Sequence, residues 1–229
     1  LLLYFIYMMY ITDNSRILSR EELSTPEEIT NEIPLDKESS KLIFGARRSI
    51  SQILHRQDDR LIVVVGPFSI DDPKAALEYA KLLKDFSSSV ENELMLVMRV
   101  YFEKPRTTIG WKGLINDPRL DNSFKINEGL RISRKLLKDI ADLGMPTGTE
   151  FLDLISPQYV SDLVCWGAIG ARTAESQVHR ELTSGLSCPI GIKNSTKGDI
   201  QIAIDAIKSA QYQHVFLGTT KKGKVAIFK

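Results

Sequence analysis

The sequence is poor in the residues that hold metals or form covalent cross-links. Only two cysteines, Cys165 and Cys188, and three histidines occur in 229 residues. The cysteines are too few and too far apart for a disulfide framework or a CxxC metal site, and the histidines show neither HExxH nor HxH spacing. These counts favour reduced thiols in a reducing compartment, and we expect a cytoplasmic protein.

The sequence also lacks a large charge imbalance and an apolar run of membrane length. Its formal net charge is +1, so any basic site must be local. Residues 1–11, LLLYFIYMMYI, are apolar but too short to span a bilayer, and they lack the basic flank and cleavage site of a signal peptide. We expect no nucleic-acid partner and no membrane partner, with Met8 or Met9 as a candidate start of translation.

From residue 61 onward, strand-like and helix-like segments alternate. LIVVV at 61–65 is a continuous apolar run, mostly β-branched, and is typical of a strand buried on both faces. Segments with helical periodicity separate it from five further strand-like stretches. These stretches are 94–100, 147–152, 167–172, 189–194 and 214–220. Such repeated alternation indicates a parallel sheet covered by helices.

Two architectures contain a sheet of this kind, the doubly wound sheet and the (β/α)8 barrel. The doubly wound sheet needs a glycine-rich turn after its first strand, but VVVGPFSI has one glycine followed by a proline, so GxGxxG is missing. The sequence therefore favours an incomplete (β/α)8 TIM barrel, with about six of the eight strands, over residues 38–229. Residues 1–37 form a predicted N-terminal extension, whose acidic part from residue 12 is expected to lie against, or exchange onto, another element.

Charged residues stand at the ends of four predicted strands. Strand two ends at Arg99, strand three at Glu150, strand four at Arg172 and strand five at Lys193. In a barrel these carboxyl ends meet at one mouth, where active sites form. Cations held close together repel one another and lose hydration, so the cluster favours a bound anion or interleaved carboxylates. Glu150 supplies one such carboxylate.

The segment after strand two adds further anion-binding groups. Residues 101–125 lack helix or strand periodicity, and a loop of this length in a compact domain is usually functional or disordered. Its aromatic and leucine residues make it too apolar for disorder. Near its start, a stiff turn, a guanidinium fork and a hydroxyl suit a phosphate, although a solvated basic loop is the alternative. The residues concerned are Lys104, Pro105, Arg106 and Thr107.

Four long stretches resemble the type I 3-deoxy-D-arabino-heptulosonate 7-phosphate (DAHP) synthases, especially the feedback-regulated bacterial and fungal members. The stretches are GPFSIDDP, MRVYFEKPRTTIGWKGLINDPRLDNSF, EFLDLISPQY and WGAIGARTAESQVHRELTSGLSCPIGIKN. The resemblance implies a barrel transferase of the shikimate pathway for aromatic amino acids. Such an enzyme condenses phosphoenolpyruvate with erythrose 4-phosphate, uses a divalent metal of the Mn, Fe, Co or Zn type, and forms a homo-oligomer, a dimer or tetramer.

The resemblance also implies roles for individual residues. The phosphoenolpyruvate site would consist of Arg99, Lys104, Glu150, Ala171, Arg172 and Lys193. The erythrose 4-phosphate clamp would consist of Pro105, Arg106 and Thr107. Lys104 would lie between the two substrates and is the candidate catalytic residue, assisting proton transfer at the aldehyde oxygen. An aromatic amino acid effector would bind near Pro157, Gln158, Ser187 and Phe216.

Two departures from the family pattern concern the metal. The family has a metal-ligating cysteine after Gly-Pro at the end of strand one, whereas this sequence reads Gly66-Pro67-Phe68-Ser69. A phenyl ring cannot coordinate a cation. The family's remaining His, Glu and Asp ligands lie in a C-terminal part that this sequence does not contain. We therefore expect a truncated chain with no metal ligands, no detectable synthase activity and poor stability alone.

Two other interpretations remain open. A Schiff-base aldolase on the same barrel would use Lys193 or Lys104 as the amine and would need no metal, which suits Phe68. Against it, neither lysine has an obvious neighbour that lowers its pKa. The second is a non-catalytic remnant that retains only the effector site.

Overall fold

The computed structural model describes residues 12–229, so the apolar start of the chain, with Met8 and Met9, lies outside the described residues. The helices are α1 Pro26–Glu32, α2 Lys37–Leu54, α3 Pro73–Ser87, α4 Ile126–Asp142, α5 Pro157–Val160, α6 Gln177–Gly185 and α7 Gln201–Ala210, with a 3-10 turn at Ser161–Leu163. The strands are β1 Leu61–Val65, β2 Leu94–Arg99, β3 Thr147–Glu150, β4 Trp166–Ile169, β5 Ile190–Ile192, β6 Phe216–Thr219 and β7 Val225–Phe228. In this described part, no helix combines the length and apolarity needed to cross a membrane.

Strands β1 to β5 form one parallel sheet in the order β1-β2-β3-β4-β5. Each strand pairs with its neighbour in sequence; Leu61, for example, lies opposite Leu94. A doubly wound sheet instead changes direction at a switch point. The strictly sequential order is the winding of a barrel segment, so the predicted α/β class and parallel sheet are confirmed as part of a barrel.

The prediction that the sixth strand continues the barrel sheet is wrong. β6 pairs antiparallel with β7, Phe216 opposite Phe228, in a separate two-stranded sheet. The last residues of the chain, VAIFK, supply β7, the partner of β6. Gly223, with φ of 71°, lets the chain reverse between the strands, and the rings of Phe216 and Phe228 stack with centroids 5.6 Å apart.

Several predicted boundaries also shift. The segment between the third and fourth strands, SPQYVSDLVCW at 156–166, begins with Ser-Pro and predicts a helix, but it forms only the short helix α5 and the 3-10 turn, and Trp166 already belongs to β4. Ser156 occupies the N-cap position, but its hydroxyl donates to Glu103 and does not cap the helix. The predicted strand ending at Arg172 ends at Ile169, because the chain turns there and the N–H groups of Thr173 and Ala174 donate to the Gly170 carbonyl. The predicted strand ending at Lys193 ends one residue earlier, at Ile192.

The helices follow from short local signals and from their buried faces. Asp72 caps α3 by accepting from the N–H groups of Lys74 and Ala75, and Pro73 occupies the first turn. α4 ends just before Gly144, whose φ of 78° suits a helix C-terminus. The apolar faces of α2, α3 and α4 pack with the sheet in one core. Its members include Ile43, Ile50, Ala80, Leu96, Val97, Met98, Leu137 and Ile140.

The segment before α2 lies against this same chain. Ile29 of α1 is fully buried, and a capping box between Thr25 and Glu28 begins that helix. Ser24 accepts a hydrogen bond from the Tyr159 hydroxyl through its carbonyl, and its N–H donates to Asn127. These contacts attach residues 22–33 to α4 and α5. The division of the chain near residue 37 stays a prediction.

Arg134 is the largest fully buried side chain of the described residues. Its guanidinium pairs with both carboxylate oxygens of Asp162, at 2.7 and 2.9 Å. It also donates to the carbonyls of Ile33, at 2.9 Å, and Tyr159, at 2.7 Å. A single buried cation therefore joins α4 to the N-terminal segment and to the turn after β3.

We expect Arg134→Met to lower the free energy of unfolding by about 3 kcal/mol, because it leaves a partly buried carboxylate and two carbonyls without their donor. Urea denaturation followed by circular dichroism measures this change. The matched control is Lys135→Met, which removes an exposed pair with Asp139 and should cost below about 0.5 kcal/mol. Equal effects of the two substitutions would contradict this account of Arg134.

Candidate active site

A cavity of about 250 Å³ opens at the carboxyl ends of β1 to β5, and we call it the first cavity. Each of these strands delivers residues to it from its end or from the loop that follows, as the parallel arrangement requires. Its lining consists of Phe68, Arg99, Tyr101, Glu103, Lys104, Pro105, Arg106, Glu150, Leu152, Gly170, Ala171, Arg172, Thr173 and Lys193.

Eight of the nine predicted substrate-site residues line the first cavity. They are Arg99, Lys104, Pro105, Arg106, Glu150, Ala171, Arg172 and Lys193. The ninth, Thr107, is exposed in the loop after β2 and is absent from the lining. The loop from Val100 to Lys125 has neither helix nor strand, as predicted, and several of its side chains are buried.

Positive charge dominates the first cavity. Five cationic side chains line it, and within residues 12–229 none of them forms an ion pair with a carboxylate. Glu150 is buried beside them, and a Cβ placed on Gly170 would lie 2.0 Å from its carboxylate oxygen. Glycine at that position therefore leaves the space that Glu150 occupies. The cavity has the charge and size to accept a small anion.

Two aromatic rings, those of Tyr101 and Phe68, contact cations of the first cavity. The Arg99 guanidinium carbon lies 3.6 Å from the centre of the Tyr101 ring, and the Lys104 ammonium lies 3.6 Å from the centre of the Phe68 ring. Arg99 also donates a 3.1 Å hydrogen bond to the carbonyl of Phe68. Both distances are within the range of cation–π attraction. The rings fix the cations without neutralising them.

Burial lowers the pKa of Lys104, and the positive charges of Arg106, Arg99 and Lys193 lower it further. The expectation that no neighbour lowers the pKa of either candidate lysine is therefore wrong for Lys104. Burial, the largest cause, and the charge of Lys193, 89 positions away in sequence, arise only in the folded chain, whereas Arg106 and Arg99 are close to Lys104 in sequence. A lysine with a lowered pKa is a better proton donor and acceptor near neutral pH.

The sequence interpretation missed Glu103 and the role of Tyr101 in the first cavity. An extended chain points alternate side chains the same way, so Arg99, Tyr101 and Glu103 share one side and reach the same cavity. Burial, and then the charge of Asp153, raise the pKa of Glu103 to about 7. Its carboxylate accepts hydrogen bonds from the Ser156 hydroxyl, at 3.0 Å, and the Asp153 N–H, at 3.2 Å. The sequence signal that could have identified Glu103 is its spacing of two residues from Tyr101 and of four from Arg99.

The donors of this chain do not fit a divalent metal ion. The first cavity offers two carboxylates and no cysteine or histidine. Phe68 carries no lone pair, and Glu103 is engaged with Ser156 and the backbone. Within the described range, no cluster of three or more His, Cys, Asp or Glu side chains could hold a metal.

A second cavity of about 520 Å³ lies between α5, α6 and the β6–β7 hairpin. All four residues predicted for an effector line it, namely Pro157, Gln158, Ser187 and Phe216. Further apolar walls come from Leu154, Leu182, Leu186 and Phe228. The Lys221 ammonium donates to the Gln158 carbonyl and attaches the hairpin to α5. The antiparallel hairpin therefore builds one side of this cavity.

A parallel sheet in sequential order, with cations at the carboxyl ends of its strands, places the chain among α/β barrel proteins with a cavity suited to small anions. Comparison with known proteins specifies the family, because residues 31–227 match the model described as the DAHP synthetase I family. The chain belongs to this family.

Individual relatives support the same family assignment. The chain is 57% identical over 220 residues to the Phe-sensitive phospho-2-dehydro-3-deoxyheptonate aldolase of Escherichia coli K12, covering 96% of this chain and 63% of the relative. It is 53% identical over 215 residues to the tyrosine-inhibited aldolase of Schizosaccharomyces pombe, covering 94% and 58%. A solved structure of the Francisella tularensis aldolase superposes with a TM-score of 0.91 at 57% identity, covering 93% and 62%. The chain thus spans about three fifths of the length of these relatives.

We expect the stability of the chain to depend on pH through Glu103. Its folded-state pKa of about 7 exceeds the ordinary 4.5, so between these values the folded chain keeps a proton that the unfolded chain has released. The free energy of unfolding therefore falls as pH rises from about 5 to about 7, by at most about 3 kcal/mol.

Urea titrations at several pH values measure this slope. Glu103→Gln should remove the contribution, whereas Glu78→Gln, at an exposed carboxyl on α3, should retain the wild-type slope. A slope unchanged in Glu103→Gln would show that another group causes it.

Proposed function

We propose that this protein serves the condensation of phosphoenolpyruvate with erythrose 4-phosphate that forms 3-deoxy-D-arabino-heptulosonate 7-phosphate, in the shikimate pathway. One observation carries the proposal: five cations converge on a single cavity at the strand ends of a chain of the DAHP synthetase I family. Both substrates are phosphate esters, and phosphoenolpyruvate is also a carboxylate. A cavity rich in guanidinium and ammonium groups matches that chemistry.

In this proposal Arg99, Lys104 and Lys193 bind the carboxylate of phosphoenolpyruvate. Arg172 and the backbone N–H of Ala171 bind its phosphate, and both residues stand in the turn after β4. Glu150 is buried beside them and orders the water that adds at C2. The support for these roles is the shared cavity and the charge that each group offers.

Erythrose 4-phosphate would bind toward the loop after β2. Arg106 uses its Nε to donate to the Trp111 carbonyl at 2.8 Å, which orients the guanidinium and leaves its terminal nitrogens for a phosphate. Pro105 stiffens this turn, and the Thr107 hydroxyl follows it in the chain. Lys104, between the two sites and with a lowered pKa, donates a proton to the aldehyde oxygen as C3 of phosphoenolpyruvate attacks the aldehyde carbon. Water adds at C2, and phosphate then leaves as the bond between C2 and its oxygen breaks.

The first cavity offers cations for the substrates but, among the described residues, no set of donors for a metal ion, so we propose that this chain by itself does not turn over. With Phe68 at the end of β1 and two carboxylates in the cavity, added Mn²⁺ finds no set of ligands. Release of phosphate from the two substrates with the purified chain and Mn²⁺, measured colorimetrically, should stay at background. Turnover would contradict this part of the proposal.

We expect phosphoenolpyruvate to bind the purified chain, and Arg172→Gln to weaken binding at least about tenfold, because a charge-assisted hydrogen bond to phosphate is worth about 1.5–3 kcal/mol. Isothermal titration calorimetry measures both affinities. Arg48→Gln removes an exposed arginine on α2, outside the first cavity, and is the matched control.

An unchanged affinity in Arg172→Gln would remove this residue from the site. Borohydride reduction in the presence of a carbonyl substrate tests the alternative Schiff-base aldolase, which the lowered pKa of Lys104 favours. A covalent adduct on Lys104 or Lys193, found by mass spectrometry, would support that aldolase over the DAHP synthase reaction.

We also propose that the second cavity binds an aromatic amino acid as a regulatory effector. Relatives carry the names Phe-sensitive, tyrosine-inhibited and Trp-sensitive. The cavity offers an apolar interior with the Ser187 and Gln158 side chains at its wall, and the Phe216 ring is available for stacking. A remnant without synthase activity would retain this property.

We expect calorimetry to detect binding of phenylalanine, tyrosine or tryptophan, and Ser187→Phe to abolish it by filling the cavity. Ser184→Phe places the same ring on an exposed position of α6 that does not line the cavity, and should bind like the wild type. No binding of any of the three amino acids would contradict an effector site in this chain.

Two further properties are proposals. We propose a location in the cytoplasm, a reducing compartment, because both cysteines are free and buried. A homo-oligomer, as in the family, agrees with exposed apolar side chains such as Leu18 in the N-terminal segment.

A further inference from the structure

We propose that the Phe68 ring holds the cations of the first cavity in position, and that this cavity binds a phosphorylated carboxylate without a divalent metal ion. The inference rests on the proposed function in one respect: it concerns the cavity assigned to phosphoenolpyruvate. It goes beyond that function by giving Phe68 a positioning role and by making the chain's anion binding independent of metal.

The first step is the contact geometry of Phe68. Its ring centre lies 3.6 Å from the Lys104 ammonium and 5.6 Å from the Arg99 guanidinium carbon, and its carbonyl accepts a hydrogen bond from Arg99 at 3.1 Å. One residue therefore contacts two cations through two different groups. The ring nevertheless remains 78% exposed at the cavity mouth, so burial of apolar surface does not account for its position.

The second step is the backbone that presents Phe68. Gly66, two residues earlier, has φ of 153°, and a Cβ on it would lie 2.9 Å from the Arg99 carbonyl oxygen. The absence of a side chain lets the end of β1 approach the end of β2 closely. This approach brings the Phe68 carbonyl within reach of the Arg99 guanidinium, so main chain and ring act together.

The third step is the charge balance. Five cations and two carboxylates line the cavity, and the raised pKa of Glu103, about 7, reduces the negative charge available near neutral pH. Burial lowers the pKa of Lys104, and the repulsion of Arg106, Arg99 and Lys193 lowers it further. Without a restraint, an ammonium on a flexible stem would move away from these neighbours into water.

The aromatic face provides that restraint without neutralising the charge. Its quadrupole attracts the ammonium, but the ring has no net charge, so the field that draws an anion is preserved. A carboxylate in the same place would cancel one cation. A divalent metal in the same place would lack ligands and would be repelled by the five cations. Phe68 is thus compatible with anion binding and incompatible with a metal.

The experiment titrates phosphoenolpyruvate, and separately inorganic phosphate, into the purified 229-residue chain by calorimetry. Each titration is run with EDTA and with Mn²⁺. The expected wild-type affinity for phosphoenolpyruvate agrees within about twofold between the two conditions. Phe68→Leu, which keeps an apolar side chain but removes the aromatic face, should weaken binding about two- to fivefold in EDTA.

Two variants make the result specific to the ring. Phe68→Tyr keeps the aromatic face and should bind within about twofold of the wild type. Phe44→Leu removes a ring that is 71% exposed on α2, away from the first cavity, and should leave binding unchanged. Urea transitions of all four proteins establish that they are equally folded.

The outcomes separate this inference from the proposed function. Phosphoenolpyruvate binding that requires Mn²⁺, or that is as tight or tighter in Phe68→Leu, overturns the inference and leaves the proposed substrate intact. Failure of the wild type to bind phosphoenolpyruvate in either condition overturns both. Binding in EDTA that weakens in Phe68→Leu and recovers in Phe68→Tyr supports the inference even if the chain shows no turnover.

Discussion

Repulsion between like charges is the constraint on which the candidate site depends. The sheet brings five cations to one rim, and no carboxylate in the described residues pairs with them. Folding therefore has to oppose their separation, and it does so with rigid strand ends, two aromatic faces and backbone carbonyls. A bound anion would offset this repulsion, because it supplies negative charge close to the cations.

The rest of the fold keeps that rim rigid. Five parallel strands in sequential order fix the backbone positions from which the cationic side chains extend. The helices pack with these strands in one apolar core. Arg134, which is fully buried, joins α4 to the N-terminal segment and to the turns after β3. Arginine therefore has two roles in this chain. Arg134, paired with a carboxylate, stabilises the fold, whereas the arginines of the first cavity, without a carboxylate partner, are suited to binding an anion.

Much of this arrangement was predictable from the sequence. The strand β1 and the parallel sheet follow from local patterns, and eight residues of the first cavity follow from strand ends and from family resemblance, whereas Glu103 was missed. The partner of β6 was not predictable, because a short apolar run carries no record of which strand it will pair with. The lowered pKa of Lys104 also depends on neighbours that only the folded chain brings together.

The segment between β3 and α5 has a consequence for both cavities. Leu152 lines the first cavity, and Leu154 and Pro157 line the second. Glu103 accepts hydrogen bonds from Asp153 and Ser156, and His179 contacts the Leu152 carbonyl through its Nε2. Six residues thus form a common partition between two chambers. A change in the backbone of this stretch would therefore alter the wall of both cavities, because protein interiors are close-packed.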